Sequence, residues 1–171
     1  MNHDLAHFRS QKDQFFARSA NSPLTAQQRQ QFRGLNYFPE APELRFALAI
    51  EPFIEQDVIV MQTTTGAMQE YLRYGRVHFD IGEETYSLTI YQSDDGFFLP
   101  FADALAGSET YGAGRYLEPE RLSDGRVLID FNMAYNPYCA YNDAWSCPIT
   151  PAENRLKIAI RAGEMVYHPE A

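Results

Sequence analysis

The chain has 171 residues, 45% of them hydrophobic and 14% aromatic, enough apolar surface for one core of ordinary size and too much for a disordered chain. Fourteen Lys and Arg against 23 Asp and Glu leave a net charge of −9, which argues against nucleic acid or an anionic membrane as partner. No apolar run reaches the roughly 18 residues of a membrane helix. The opening MNHDLAHFRSQKDQFF lacks the basic-then-apolar order of a secretion signal, so the chain reads as cytoplasmic.

Residues 1–35 read as a helical segment. Leu5, Phe8, Phe15 and Phe16 fall roughly on one helical face, and NSPL interrupts the pattern. Thr25 followed by Gln28 has the spacing of a capping box, and Gly34 is a natural stop. Two short helices between Leu5 and Phe32 are expected, covering one end or face of a sheet.

The prolines of NYFPEAPE hold an extended link, after which the apolar period changes to two. Phe46, Leu48 and Ile50 share a face. DVIVMQTTT is rich in β-branched residues. The clearest hairpin follows: Val77, Phe79 and Ile81 alternate with Arg76, His78 and Asp80, Gly82 to Glu84 turns, and Tyr86, Leu88 and Ile90 share the returning face. SDDG turns again. In FFLPFADALAG, Pro100 argues against a central strand. YGAGRYLE reads as a bent strand, RVLIDFN places Val127, Ile129 and Phe131 inward, and RLKIAIRA alternates as a last strand. The fold class is mainly β: an antiparallel β-barrel or barrel-like sandwich of about seven or eight strands with N-terminal helices. The expectation is a single domain over 1–171, in which 1–35 packs on a β-barrel formed by 36–171.

The segment YNPYCAYNDAWSCPITPAENR, Tyr135 to Arg155, gathers the only Trp and both Cys of the chain. Asn136 suits a helix N-cap, Pro137 the first helical position, and Tyr138, Tyr141 and Trp145 recur at spacings of three and four, so NPYCAYNDAW reads as a short helix. In its first turn Cys139 would meet free backbone N–H groups that favour a thiolate. Free cysteines are also commonly small buried hydrophobes, and no His stands near it in sequence to act as base. A Cys139–Cys147 disulfide is a further option that a reducing cytosol opposes. Asn132, Asn136 and Asn142 suit turns. Glu153 and Arg155 have each other, Arg115 and Asp130 as pairing options. Asp80, Asp103, Asp130 and Glu153 are the acids to watch for proton transfer.

No metal is assigned, since CxxC does not occur and two Cys with four scattered His make no structural zinc pattern, and GxSxG, a Walker loop and a helix-opening GxGxxG are missing.

GAGRYLEPE, IDFNMAYNPYCAYNDAWSCPITPAENRLKIAIRAGE and the earlier FFARSANSPLTAQQRQQFRGLNYFPEAPELRF together resemble the bacterial and archaeal family called domain of unknown function 1684. The resemblance covers nearly the whole chain. Asn-Pro-x-Cys-Ala-Tyr-Asn and Pro-Ala-Glu-Asn-Arg-Leu carry it most specifically, with Tyr138 standing where a second proline is expected. It implies one complete domain and brings no reaction, cofactor, partner or catalytic residue.

The leading functional expectation is a small-molecule ligand held in a barrel pocket rimmed by Arg115, Tyr135, Cys139, Tyr141, Asn142, Trp145, Glu153 and Arg155. The alternatives are an enzyme with Cys139 as reactive thiol, and a structural or protein-interaction module that forms a homo-oligomer through an edge strand.

Overall fold

The computed structural model describes residues 3–167. Its spine is a long hairpin of β4 (Met68–Ile81) and β5 (Glu84–Ser93), closed at Gly82 and Glu83 with Ile81 opposite Glu84. Val77, Phe79, Leu88 and Ile90 turn one face of it into the core, as the period-two pattern requires. β6 (Gly96–Phe101) pairs with β5, and β7 (Arg115–Leu117) with β6. Along its other edge β4 pairs with both β2 (Glu51–Pro52) and β3 (Val58–Gln62). Gly75 permits the first contact: a Cβ there would stand 2.6 Å from the Glu51 carbonyl oxygen.

A second sheet runs β1 (Arg45–Leu48), β9 (Val127–Asp130), β8 (Glu120–Arg121). Both sheets feed one core, in which Phe131 lies 5.5 Å from Phe79 and 5.2 Å from Phe101 between ring centroids. The expected barrel is not formed. Among the described residues nine antiparallel strands make two open sheets, because β7 ends after three residues, short of Pro119, and the chain departs for the smaller sheet.

At the N-terminus α1 spans His3–Arg18 with an acid in its first turn and a base in its last, matching the helix dipole. α2 (Ala26–Gln31) starts with the expected capping box between Thr25 and Gln28. Among the described residues no helix is long and apolar enough to cross a membrane.

Two sequence expectations are corrected here. Pro100 sits inside β6, a central strand. Continuing the β5–β6 register would set Thr89 opposite Pro100, which has no N–H to donate. Asn154 enters this gap instead. Its Oδ1 accepts from Thr89 N–H, and its Nδ2 donates to the carbonyls of Thr89 and Pro100, each at 2.8 Å.

The alternating RLKIAIRA is not a strand. Leu156 N–H bonds to Ala102, Ile160 N–H to the Asp103 carboxylate, and Glu164 N–H to Ala134, so each peptide group finds a different partner. Ile160 and Ala162 are fully buried within this irregular strap. Arg115, 1% exposed, closes it by donating to the carbonyls of Ile160, Ala162 and Glu164.

Replacing Asn154 by Leu removes all three of its hydrogen bonds while keeping volume. The expected loss is about 2–4 kcal/mol, because buried peptide groups are left unpaired. Urea unfolding checks it: the midpoint falls while the slope stays constant. A midpoint within error of the parent would refute the role of Asn154 as bridge.

Candidate functional site

Phe131–Met133 forms a 3₁₀ turn at the end of β9, and the chain then crosses the face beside α1. The expected helix over NPYCAYNDAW shrinks to a single 3₁₀ turn, Tyr138–Ala140. The physical reason is that Asn136 does not cap it: its Nδ2 donates instead to the Met165 carbonyl at 2.9 Å. Asn142 then bends the chain by accepting from Ala144 N–H at 3.0 Å.

Between this segment and α1 lies a cleft of about 660 Å³. Phe8 and Phe15 wall it from the helix; Tyr135, Tyr138 and Trp145 wall it from the segment. Phe8, Phe15 and Trp145 are 41%, 38% and 40% exposed, so aromatic surface is left uncovered along both walls. Trp145 meets Tyr138 edge to face at 5.1 Å. Three threonines of the β3–β4 turn hold its loop: Thr64 Oγ1 donates to the Trp145 carbonyl, Thr65 to Ser146, and Ser146 to Thr63.

A buried carboxylate fixes the two walls relative to each other. Glu164 is 2% exposed. One of its oxygens accepts from Asn136 N–H at 3.1 Å and from the Tyr141 hydroxyl at 2.7 Å. Its other oxygen pairs with the ammonium of Lys12 on α1. Tyr141 also packs edge to face on Phe16 of α1, 5.1 Å between centroids.

Cys139 and Cys147 lie side by side as free thiols, 7% and 6% exposed. Cys147 Sγ accepts from Cys139 N–H at 3.2 Å, and the Tyr111 hydroxyl stands 3.6 Å from Cys139 Sγ. A hydrogen bond from the Cys147 thiol, opposed by burial and supported by Tyr111, draws Cys139 down from 9.0 to about 6. That same bond, with burial, pushes Cys147 up. Cys147 lines the cleft, with Cys139 directly behind it.

The eight rim residues named from sequence separate into three groups. Tyr135 and Trp145 line the cleft. Cys139, Tyr141 and Asn142 lie just behind its wall, in packing and turn roles. Arg115, Glu153 and Arg155 stand elsewhere. Arg115 holds the C-terminal strap, 3.9 Å from Asp103, and burial lowers its guanidinium to about 10. Glu153 takes Arg73 in a two-point pair at 3.1 and 2.8 Å, which holds its carboxyl below the ordinary value. Arg155 is exposed beside the Ala102 bridge. Of the other acids, Asp130 pairs with Arg45, Asp80 accepts from Thr85, and Asp103 is bound by Thr110 and Ile160 N–H.

The α1 wall escaped the sequence reading. Its signal was the width of the apolar stripe: Leu5 and Phe16 fill the core side, so Phe8 and Phe15, seven residues apart, are surplus to it.

An open two-sheet β fold with an aromatic cleft beside a thiol pair is the architecture that any identification must fit. Residues 30–165 match the model of the family described as "Protein of unknown function (DUF1684)", and the chain belongs to that family. No curated protein matches it. Among solved structures it is similar to the solution NMR structure of an uncharacterized protein from Haloarcula marismortui, at 35% identity and a TM-score of 0.70. The match covers 95% of this chain and 92% of that one.

The thiol pair gives stability a definite pH dependence. Unfolded, both thiols titrate near 9.0; folded, Cys139 titrates near 6 and Cys147 above its ordinary value. Below pH 6 both states hold the same protons. Between 6 and 9 the unfolded chain holds one more, so this pair makes stability rise with pH. Above 9 the folded chain keeps the Cys147 proton that the unfolded chain loses, and stability falls again. Thiolate ultraviolet absorbance should show one thiolate per folded chain, forming near pH 6, and Cys147→Ala should move that midpoint upward. An unchanged midpoint in the variant would refute the assignment of Cys147 as donor.

Proposed function

We propose that the protein binds a flat, largely apolar small molecule in the cleft between α1 and the segment after Phe131. The observation that supports this reading is uncovered aromatic surface: Phe8, Phe15 and Trp145 stand about 40% exposed around one concavity of about 660 Å³. That volume falls in the range of small-molecule sites, and solvated aromatic faces gain free energy when a ligand covers them. Lys12 and Glu118 give the cleft a polar edge that would orient the ligand. In the same reading the protein works in a reducing cytoplasm, which keeps both thiols free, and its negative charge turns nucleic acid away.

The neutral fluorophore N-phenyl-1-naphthylamine tests the binding reading. It should bind one per chain and receive excitation energy from Trp145, the only tryptophan. The double substitution Phe8→Ser, Phe15→Ser should weaken it by about fivefold or more. Equal binding to the double variant, or no saturation, would overturn the cleft as the site.

A second reading rests on the 3.2 Å contact between Cys139 N–H and Cys147 Sγ, which sets the two cysteines beside each other. In it the Cys139 thiolate attacks hydrogen peroxide, its sulfur taking one oxygen as a sulfenic acid while the other leaves as hydroxide and takes up a proton. The Cys147 thiol then displaces the sulfenic hydroxyl, giving a disulfide and a second water. Peroxide should remove both thiols from the denatured titre of the parent and leave a dimedone-reactive sulfenic acid in Cys147→Ala. A thiol titre unchanged by peroxide would exclude this chemistry.

A further inference from the structure

A second hollow, of about 400 Å³, lies on the other side of the Tyr116–Tyr135 pair and has a chemistry unlike that of the cleft. Its aromatic lining includes Tyr71, Phe98, Tyr116 and Tyr135, its acids are Asp95 and Glu118, and no Lys or Arg lines it. The rings form corners. Phe98 meets Tyr116 at 79° with centroids 4.8 Å apart, and Tyr116 meets Tyr135 at 87° and 5.9 Å. Tyr71 stacks on Phe98 at 5.2 Å.

Rings set at right angles around a small hollow give it an aromatic lining on more than one side, and the π face of such a ring attracts a cation. Hydrogen bonding places one of the acids. Tyr135 donates to Glu118 Oε1 at 2.5 Å, which sets the carboxylate at the mouth of the box. Aromatic faces in this chain already accept cations: Arg121 lies over Phe97, a neighbouring wall residue, at 5.1 Å, and Lys12 lies over Tyr135 at 5.0 Å. The net charge of −9 draws cations to the surface in general. A primary ammonium would need several oxygen acceptors at once, whereas a methylated one needs apolar walls and a nearby negative charge, which is what this hollow offers.

We propose that the hollow bounded by Phe98, Tyr116 and Tyr135, with Glu118 and Asp95 at its rim, binds the trimethylammonium head of a small organic cation. The hollow shares Tyr116, Glu118, Tyr135 and Pro148 with the cleft, but Tyr71, Asp95 and Phe98 line it alone, so a substitution at Phe98 reads the hollow without touching the cleft.

Calorimetric titration of the full chain with choline and with its neutral carbon isostere 3,3-dimethylbutanol tests the proposal. Choline should bind one per chain, at least about tenfold tighter than the isostere, and more weakly as salt is raised. Phe98→Leu, which keeps an apolar wall but removes the ring, should weaken choline by about threefold to thirtyfold. The same variant should still take up N-phenyl-1-naphthylamine, which shows that it is folded and reads the cleft independently. If Phe98→Leu does not fold, the exposed double substitution Asp95→Asn, Glu118→Gln carries the test and should also weaken choline. Equal affinity for choline and the isostere, no saturable binding of choline, or binding unchanged in every variant would overturn the proposal.

Discussion

The Glu164 carboxylate is the junction on which the rest of the molecule depends. A carboxylate withdrawn from water is strongly unfavourable unless its oxygens are matched by donors. Here the three donors come from two elements: Lys12 from α1, and the backbone of Asn136 with the hydroxyl of Tyr141 from the aromatic segment. No two of these are neighbours in sequence, so satisfying one buried charge draws the N-terminal helix, the aromatic segment and the C-terminal strap together. The cleft between α1 and the segment is a product of that convergence. Its walls are held apart by packing at Phe16 and Tyr141 and held together by the charge beneath them.

The same logic runs through the irregular third of the chain. Regular sheet satisfies peptide groups without help from side chains, and buried loops do not. At four places where this chain leaves a ladder inside the core, a polar side chain takes the place of the missing strand. Asn132 matches both the N–H and the carbonyl of Ala41, Asn154 does the same for Thr89, Asp103 receives Ile160 N–H, and Arg115 covers three carbonyls. These residues are buried and polar, which gives them the profile of an active site. Their hydrogen bonds run to backbone and to neighbouring side chains and not to an open cavity, so their role is architectural.

This explains how much could be read from residue order. The β4–β5 hairpin was legible because its alternation, turn and register are all local. The capping box at Thr25 was legible for the same reason. Leu156, Ile158 and Ile160 alternate just as cleanly, yet they lie in a strap, because their partners are scattered: Leu156 and Ile158 bond to the backbone of Ala102 and Ala104, and Ile160 to the side chains of Asp103 and Arg115. Periodicity reports which side is apolar and says nothing about who takes the hydrogen bonds. The aromatic segment announced itself by composition, and Tyr135 and Trp145 do line a cleft. Its facing wall did not, since Phe8 and Phe15 look like ordinary core positions until Leu5 and Phe16 are seen to fill that side of the helix.

The two chemical features of the segment occupy one loop. Cys139 and Cys147 meet at its base, Trp145 projects from it, and Pro148 follows at the point where Tyr116 donates to its carbonyl. The thiol contact therefore sets the span of the loop, and the threonines of the β3–β4 turn set its height. Trp145 is held through its backbone, where Thr64 donates to its carbonyl, while its indole is 40% exposed and touches Tyr138 by an edge. The thiol pair and the Trp145 wall of the cleft thus share one short loop, pinned at its base by the sulfur contact and along its length by Thr63, Thr64 and Thr65.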